Sequence, residues 1–150
     1  MGFLNKLKQM AQDGSKAAQD GYARFNNAAF ADATMAACAL IGAADGKIDQ
    51  NERTRTTQFI TSSDKLKTFN VSQLRDKYEA YSDKISRDFD FGKIELMQVI
   101  GKVKKPEEAR AVVSLAVVIA NADGDFDEKE QMVVREVLQA LGLQPSEFGL

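Results

Sequence analysis

The sequence predicts an all-α protein, a bundle of about seven helices built from two similar halves. Three observations predict it. Apolar residues recur at three-to-four spacing along most of the 150 residues, which is the period of an amphipathic helix, and no stretch alternates as a half-buried strand does. Gly, Pro, Asn and Ser-Ser-Asp punctuation cuts the chain into segments of helical length. Finally, one unit is written twice: Ala44-Asp45-Gly46-Lys47-Ile48-Asp49-Gln50-Asn51-Glu52 returns 78 positions later as Ala122-Asp123-Gly124-Asp125-Phe126-Asp127-Glu128-Lys129-Glu130. The same offset carries Ala33 onto Ala111, Ile41 onto Ile119, Phe59 onto Val137 and Ile60 onto Leu138. Whole helix-loop-helix units therefore match, at residues 30–63 and 108–141 of one domain spanning 1–150, which marks an internal duplication.

The elements follow in order. Residues 3–21 place Phe3, Leu7, Met10, Gly14 and Ala17 on one stripe with Lys6, Lys8 and Lys16 elsewhere, an amphipathic helix weakened by Gly14 and Gly21. As part of a terminal segment, 1–25, it reads either as a docked end helix or as an arm for a membrane surface or partner. From Phe30 to Ala44, small residues interleave with Met35, Leu40 and Ile41, a composition for a central helix closely approached by its neighbours. Gln50 to Ser62 gives the second helix of the unit, with Phe59 and Ile60 inward. Asn70 is a candidate N-cap for a long helix whose stripe is Val71, Leu74, Tyr78, Tyr81, Ile85 and Phe89. A shorter helix over 91–103 carries Ile94, Met97, Ile100 and Val103. Pro106-Glu107-Glu108 suits a helix start, with Pro in the first turn and acids at the positive dipole end. Ala109 to Asn121 and Asp127 to Leu141 form the second unit. Gly142 stops it, and Pro145-Ser146-Glu147-Phe148 makes a final turn.

Composition narrows the chemistry. Histidine is absent, which removes His-based acid-base work, the usual Ser-His and Cys-His pairs and most transition-metal sites. One cysteine, Cys38, makes no internal disulfide, and no secretory leader opens the sequence, so a reducing cytoplasm is the expected home. The apolar runs fall short of the roughly 20 residues that cross a bilayer. Net charge is −2, but it is segregated: residues 64–105 hold ten basic against seven acidic side chains, and residues 107–150 hold three against nine. Such polarity steers partners. The tyrosine stripe with its neighbouring lysines reads as core rather than as a base-stacking platform, so no nucleic-acid partner is expected.

The doubled loop supports two readings. In one, Gly46 and Gly124 occupy left-handed positions past a helix while Asp49-x-x-Glu52 and Asp127-x-x-Glu130 form capping boxes. That leaves Asp45 and Asp123 unexplained, since an acid at a helix C-terminus is unfavourable by about 0.3–1 kcal/mol. In the other, a cation offsets them. Asp45, Asp49 and Glu52 in the first loop, and Asp123, Asp125, Asp127 and Glu130 in the second, offer only oxygen, which selects Ca²⁺ or Mg²⁺ over zinc or copper. Each loop resembles the last eight positions of an EF-hand loop, but Ile41 and Ala43, or Ile119 and Asn121, stand where the early ligands would be. A complete shell then needs backbone carbonyls, water or both loops together. The second loop is the stronger candidate, because Lys47 dilutes the first. A phosphate-binding loop at Gly42 to Lys47 is excluded by glycine spacing, by Ile48 where Ser or Thr belongs, and by the lack of a preceding strand.

With the paired A-D-G-x-[IF]-D-x-x-E loops and the Gly-Phe-Leu-Asn-Lys-Leu-Lys opening, the chain resembles the TerB-like family of bacterial tellurite-resistance proteins over nearly its full length. The resemblance implies an all-helical fold with two halves about a pseudo-two-fold axis. It implies an acidic metal-binding patch at Asp45, Asp49, Glu52, Asp123, Asp127 and Glu130. It also implies work in tellurite and stress resistance beside other resistance proteins, among them a membrane partner and calcium-binding partners at the inner face of the cytoplasmic membrane.

The expected function is accordingly that of a non-enzymatic calcium-binding protein of a tellurite-resistance system. Its ion occupancy would tune docking to partner proteins, with peripheral membrane association. The rival expectation is a helical scaffold whose acids only cap helices.

Overall fold

The structure, a computed structural model, describes residues 27–63, 66, 68–120 and 127–150. Among them run six α-helices, a final 3-10 turn and no strand. The helix expected over residues 3–21 lies outside the described residues.

Helix α1, Ala28–Gly42, is capped by Asn27, whose side chain accepts the Phe30 N–H at 2.9 Å. Ten of its residues are buried, among them Ala33, Ala36, Ala37 and Ala39. Those small side chains let other helices approach all round, and α1 accordingly packs against four later helices of the bundle, described below. Helix α2, Gln50–Ser62, buries only Ile60 and lies at the periphery. Helix α3, Val71–Arg87, starts at the expected cap, Asn70, which accepts the Gln73 N–H at 3.2 Å. Its inward stripe is Leu74, Tyr78, Ser82 and Ile85, with Tyr81 half-buried.

Helix α4, Phe89–Ile100, starts two residues earlier than the spacing predicted and turns a different face inward. Asp88 ends α3 and caps α4, accepting the Phe91 N–H at 3.1 Å. A Cβ at Gly92 would lie 3.0 Å from Ile85 Cα, Ile85 N and the Lys84 carbonyl oxygen. This close approach rotates Gly92, Leu96 and Ile100 into the core and leaves Ile94 58% exposed. The apolar residues alone pointed to Ile94 because a glycine contributes nothing to a hydrophobic stripe.

Helix α5, Pro106–Ala120, has the expected proline and glutamates in its first turn. Helix α6, Glu128–Ala140, closes on Gly142 at φ 74°. There Leu143 N–H reaches the Leu138 carbonyl at 2.9 Å and Gly142 N–H the Gln139 carbonyl at 3.1 Å, a Schellman stop. Pro145–Phe148 then folds Phe148 back into the core. The partners of α1 are α3, α4, α5 and α6, and the buried residues form one continuous apolar cluster. Where α1 meets α5, Cys38 Sγ lies 3.7 Å from the Ala116 carbonyl oxygen. Those two positions are 78 apart, the offset of the repeat.

Candidate metal centre

Both acidic loops follow the long buried helices α1 and α5. After α1, the Gly46 N–H bonds the Ala43 carbonyl at 2.9 Å, and Gly46 takes φ 97°, the left-handed position that glycine adopts without strain. Helix α1 ends at Gly42, so Asp45 stands clear of its last turn. The dipole penalty assigned to Asp45 fades at that distance. The carboxylate also has a local partner, the Lys47 N–H at 3.4 Å from Oδ1.

Asp49 is the N-cap of α2. Its Oδ1 accepts the N–H groups of Asn51 at 2.8 Å and Glu52 at 3.2 Å. Asp127 caps α6 in the same manner: it accepts the Glu130 N–H at 2.8 Å, and the Glu130 carboxylate accepts the Asp127 N–H at 3.2 Å. The capping box predicted for the second unit is therefore present. Asp123, Asp125 and Gly124 lie outside the described residues. Asp45, Asp49, Glu52 and Asp127 are exposed and Glu130 is half-buried.

Asp49 and Asp127 accept these capping N–H groups through Oδ1, and a carboxylate that caps through one oxygen retains acceptor capacity on both. The donor set is all oxygen, which fits a hard divalent cation. Among the described residues no group of three metal-ligating side chains converges. Asp45, Asp49 and Glu52 alone do not form a cage, so a coordinating set that includes them needs further oxygen donors.

Asp32, Asp76, Glu79, Asp83, Glu95, Glu136 and Glu147 join ion pairs with Lys or Arg, whereas Asp45, Asp49 and Asp127, like Asp88, Asp90, Glu107, Glu108 and Glu128, join none among the described residues. One loop-proximal cation, Arg53, looks away from the loop. Arg53, in the first turn of α2, bonds the Glu79 carboxylate, the Glu79 carbonyl at 3.3 Å and Asp83 at 2.9 Å on α3. Its side chain is 13% exposed, and its bonds to Glu79, more than those to Asp83, hold the guanidinium pKa above its ordinary value. Sequence reasoning missed this clamp, because the partners lie 26 and 30 positions away on a different helix.

The other reactive candidates are core. Cys38 is 1% exposed, and burial pushes its thiol pKa up, the opposite of what a nucleophile needs. Tyr78 is 2% exposed, and burial, with Asp32 adding, pushes the Tyr81 phenol up to about 12.

The features so far define a class: an all-helical bundle around an Ala-rich central helix, with an Asp cap opening the second helix of each of two helix pairs that match in sequence. The chain belongs to the TerB family. A family model described as Tellurite resistance protein TerB matches residues 31–150. The chain is also similar to a protein of Alcaligenes sp named Tellurium resistance protein TerB, 26% identical over 118 residues, which cover 78% of this chain and 97% of the relative. No solved structure matches the chain. No helix among the described residues is long and apolar enough to cross a membrane.

Proposed function

We propose that the chain is a non-enzymatic divalent-cation-binding protein of a tellurite-resistance system, with Ca²⁺ or Mg²⁺ held by its doubled acidic loops. The observation that carries the reading is the contrast in charge pairing. Many acids on the described surface are matched by Lys or Arg, while Asp45, Asp49 and Asp127 join no ion pair among the described residues, at repeated acidic turns that offer only oxygen donors. A hard cation supplies the missing charge using the ligand type that both turns offer. Membership of the TerB family supports the resistance role.

The reading takes the two units as related by an approximate two-fold axis. Equivalent residues meet only near such an axis, and the contact of Cys38 with Ala116 supports one running between α1 and α5. The second loop, with Asp123, Asp125, Asp127 and Glu130, is the tighter site, since Lys47 opposes binding at Asp45, Asp49 and Glu52. Ion occupancy then sets how the acidic end of the bundle presents itself to other tellurite-resistance proteins, including a membrane-embedded one, at the inner membrane face.

A second reading is favoured by the capping box at Asp127 and Glu130: a helical adaptor in which the acids cap and bind nothing. Titration calorimetry with Ca²⁺ and Mg²⁺ separates the two. Binding heat in wild type that is lost in the Asp123→Asn/Asp127→Asn protein supports the cation reading; equal heats, or none in wild type, leave the adaptor.

A further inference from the structure

The large hydrophobic side chains exposed among the described residues all belong to two neighbouring helices. Phe91 is 68% exposed and Ile94 58% exposed on α4, and Met132 is 59% exposed on α6. The helices lie side by side and run the same way. A Cβ at Gly101, just past α4, would sit 3.7 Å from the Ala140 carbonyl oxygen at the end of α6, and Lys93 bridges Glu136 at 2.8 Å. Met132, one turn before Glu136, thus lies toward the N-terminal half of α4, the half that carries Phe91 and Ile94. Such clustering marks a surface that something covers.

Two features say what covers it. The described chain enters at Asn27, whose amide donates to Glu108 at 3.2 Å in the first turn of α5. That turn begins at Pro106, and only Gly101 to Lys105 separate it from the end of α4 at Ile100, so the described chain begins near the segment that leaves the C-terminal end of α4. As a helix, residues 3–21 would be about 28 Å long and α4 is about 18 Å long, so the segment, joined by residues 22–26, can run the full length of α4. Charge gives the direction. The N-terminal end of the α4/α6 pair carries more acid than base, with Asp88, Asp90, Asp127 and Glu128 exposed beside Arg87 and Lys129, and Lys102, Lys104 and Lys105 stand exposed at the opposite end of α4. The early part of the segment is basic, with Lys6 and Lys8 beside the apolar stripe Phe3, Leu7 and Met10.

We infer that residues 3–21 of this chain dock on Phe91, Ile94 and Met132, running in the direction of α4 so that Lys6 and Lys8 meet its acidic end. The docking stands apart from the cation reading and needs no metal. It buries both stripes and places the basic start of the chain against the acidic end of the helix pair.

The test uses the full chain. Cys38 is buried, so Leu7→Cys with Ile94→Cys provides the accessible thiol pair. Oxidation at micromolar protein concentration gives an intramolecular disulfide on the order of tenfold faster than in Leu7→Cys with Thr61→Cys, a control on exposed α2, because docking raises the effective concentration. Equal rates for the two pairs overturn the proposal, and so does a product that is mainly a disulfide-linked dimer, which would put a second copy on the patch. In a separate arm without engineered cysteines, Leu7→Asp/Met10→Asp shifts the methyl NMR signals of Ile94 and Met132. Unmoved signals also overturn it.

Discussion

Asp127 offers the cleanest separation of capping from cation binding, because two substitutions remove different parts of it. Asp127→Ala loses the 2.8 Å bond from the Glu130 N–H and should cost about 1 kcal/mol, the usual loss for an N-cap. In a chain of 150 residues that lowers the melting temperature by about 2–4 °C. Asp127→Asn keeps a carbonyl oxygen in the same place. Asn is as good an N-cap as Asp, so only the charge-dipole interaction of about 0.3–1 kcal/mol is lost. In chelator, then, Asp127→Asn should melt close to wild type and Asp127→Ala below it. Calcium changes the order. At a hundredfold excess over Kd, a ligand bound only by the folded state adds about 2.7 kcal/mol, or about 5–10 °C here. Wild type should gain that shift, and Asp127→Asn should lose most of it despite its intact cap. Scanning fluorimetry in chelator, Mg²⁺ and Ca²⁺ reads all three proteins. A wild-type melting temperature indifferent to calcium, or an Asp127→Asn protein with the full gain, would refute the argument.

Other expectations follow from geometry. Gly92→Ala should destabilise by about 1–3 kcal/mol, since the new Cβ meets backbone at 3.0 Å and the backbone cannot swing aside. Gly42→Ala, with nothing within 4 Å, should stabilise by about 0.5–1 kcal/mol; urea midpoints should move in opposite directions. Arg53→Met should cost about 1 kcal/mol, an effect that fades in high salt, because Glu79 and Asp83 are 37% and 57% exposed and screened. Tyr81, with its pKa raised from 10.0 to about 12 by burial, holds its proton longer when folded. The unfolded chain therefore binds fewer protons above pH 10, and stability should fall as pH climbs from about 10 to about 12. Tyr81→Phe should flatten that limb of a pH-melting curve.

The all-helical class and most helix bounds were legible because caps and stops are local. Asn70, Pro106, Gly142 and the Asp127-Glu130 pair sit where the sequence placed them, each satisfying backbone groups within a few residues. What escaped was non-local. The rotation of α4 depends on Gly92 meeting Ile85, and no hydrophobic periodicity records an approach made possible by a missing side chain. The Arg53 clamp joins residues on separate helices. The site was half legible. The caps at Asp49 and Asp127 were foreseeable from spacing, but the setting of Asp45 was not, since it turned on α1 stopping at Gly42 rather than running on to the loop.

The Arg53 clamp also bears on why the two units differ. Across the repeat, Lys47 corresponds to Asp125 and Arg53 to Gln131, so the first unit carries two positive charges where the second has a negative and a neutral side chain. Arg53 does not neutralise its own loop, because its guanidinium is held on Glu79 and Asp83 of α3. Its effect is mechanical: it ties the first turn of α2, directly after Glu52, to a neighbouring helix. A loop whose following helix is tied in this way, and whose centre holds Lys47, gains little from a cation in either charge or order. On the cation reading, the second loop is thus the one whose occupancy changes the molecule. It leads into α6, the helix that carries Met132 beside Ile94 and Phe91. Calcium at the second loop would neutralise acids at the end of the patch where Lys6 and Lys8 are placed, so it should weaken the docking of residues 3–21 and slow the Leu7→Cys/Ile94→Cys cross-link. If calcium binds and leaves the cross-linking rate unchanged, the two features are independent.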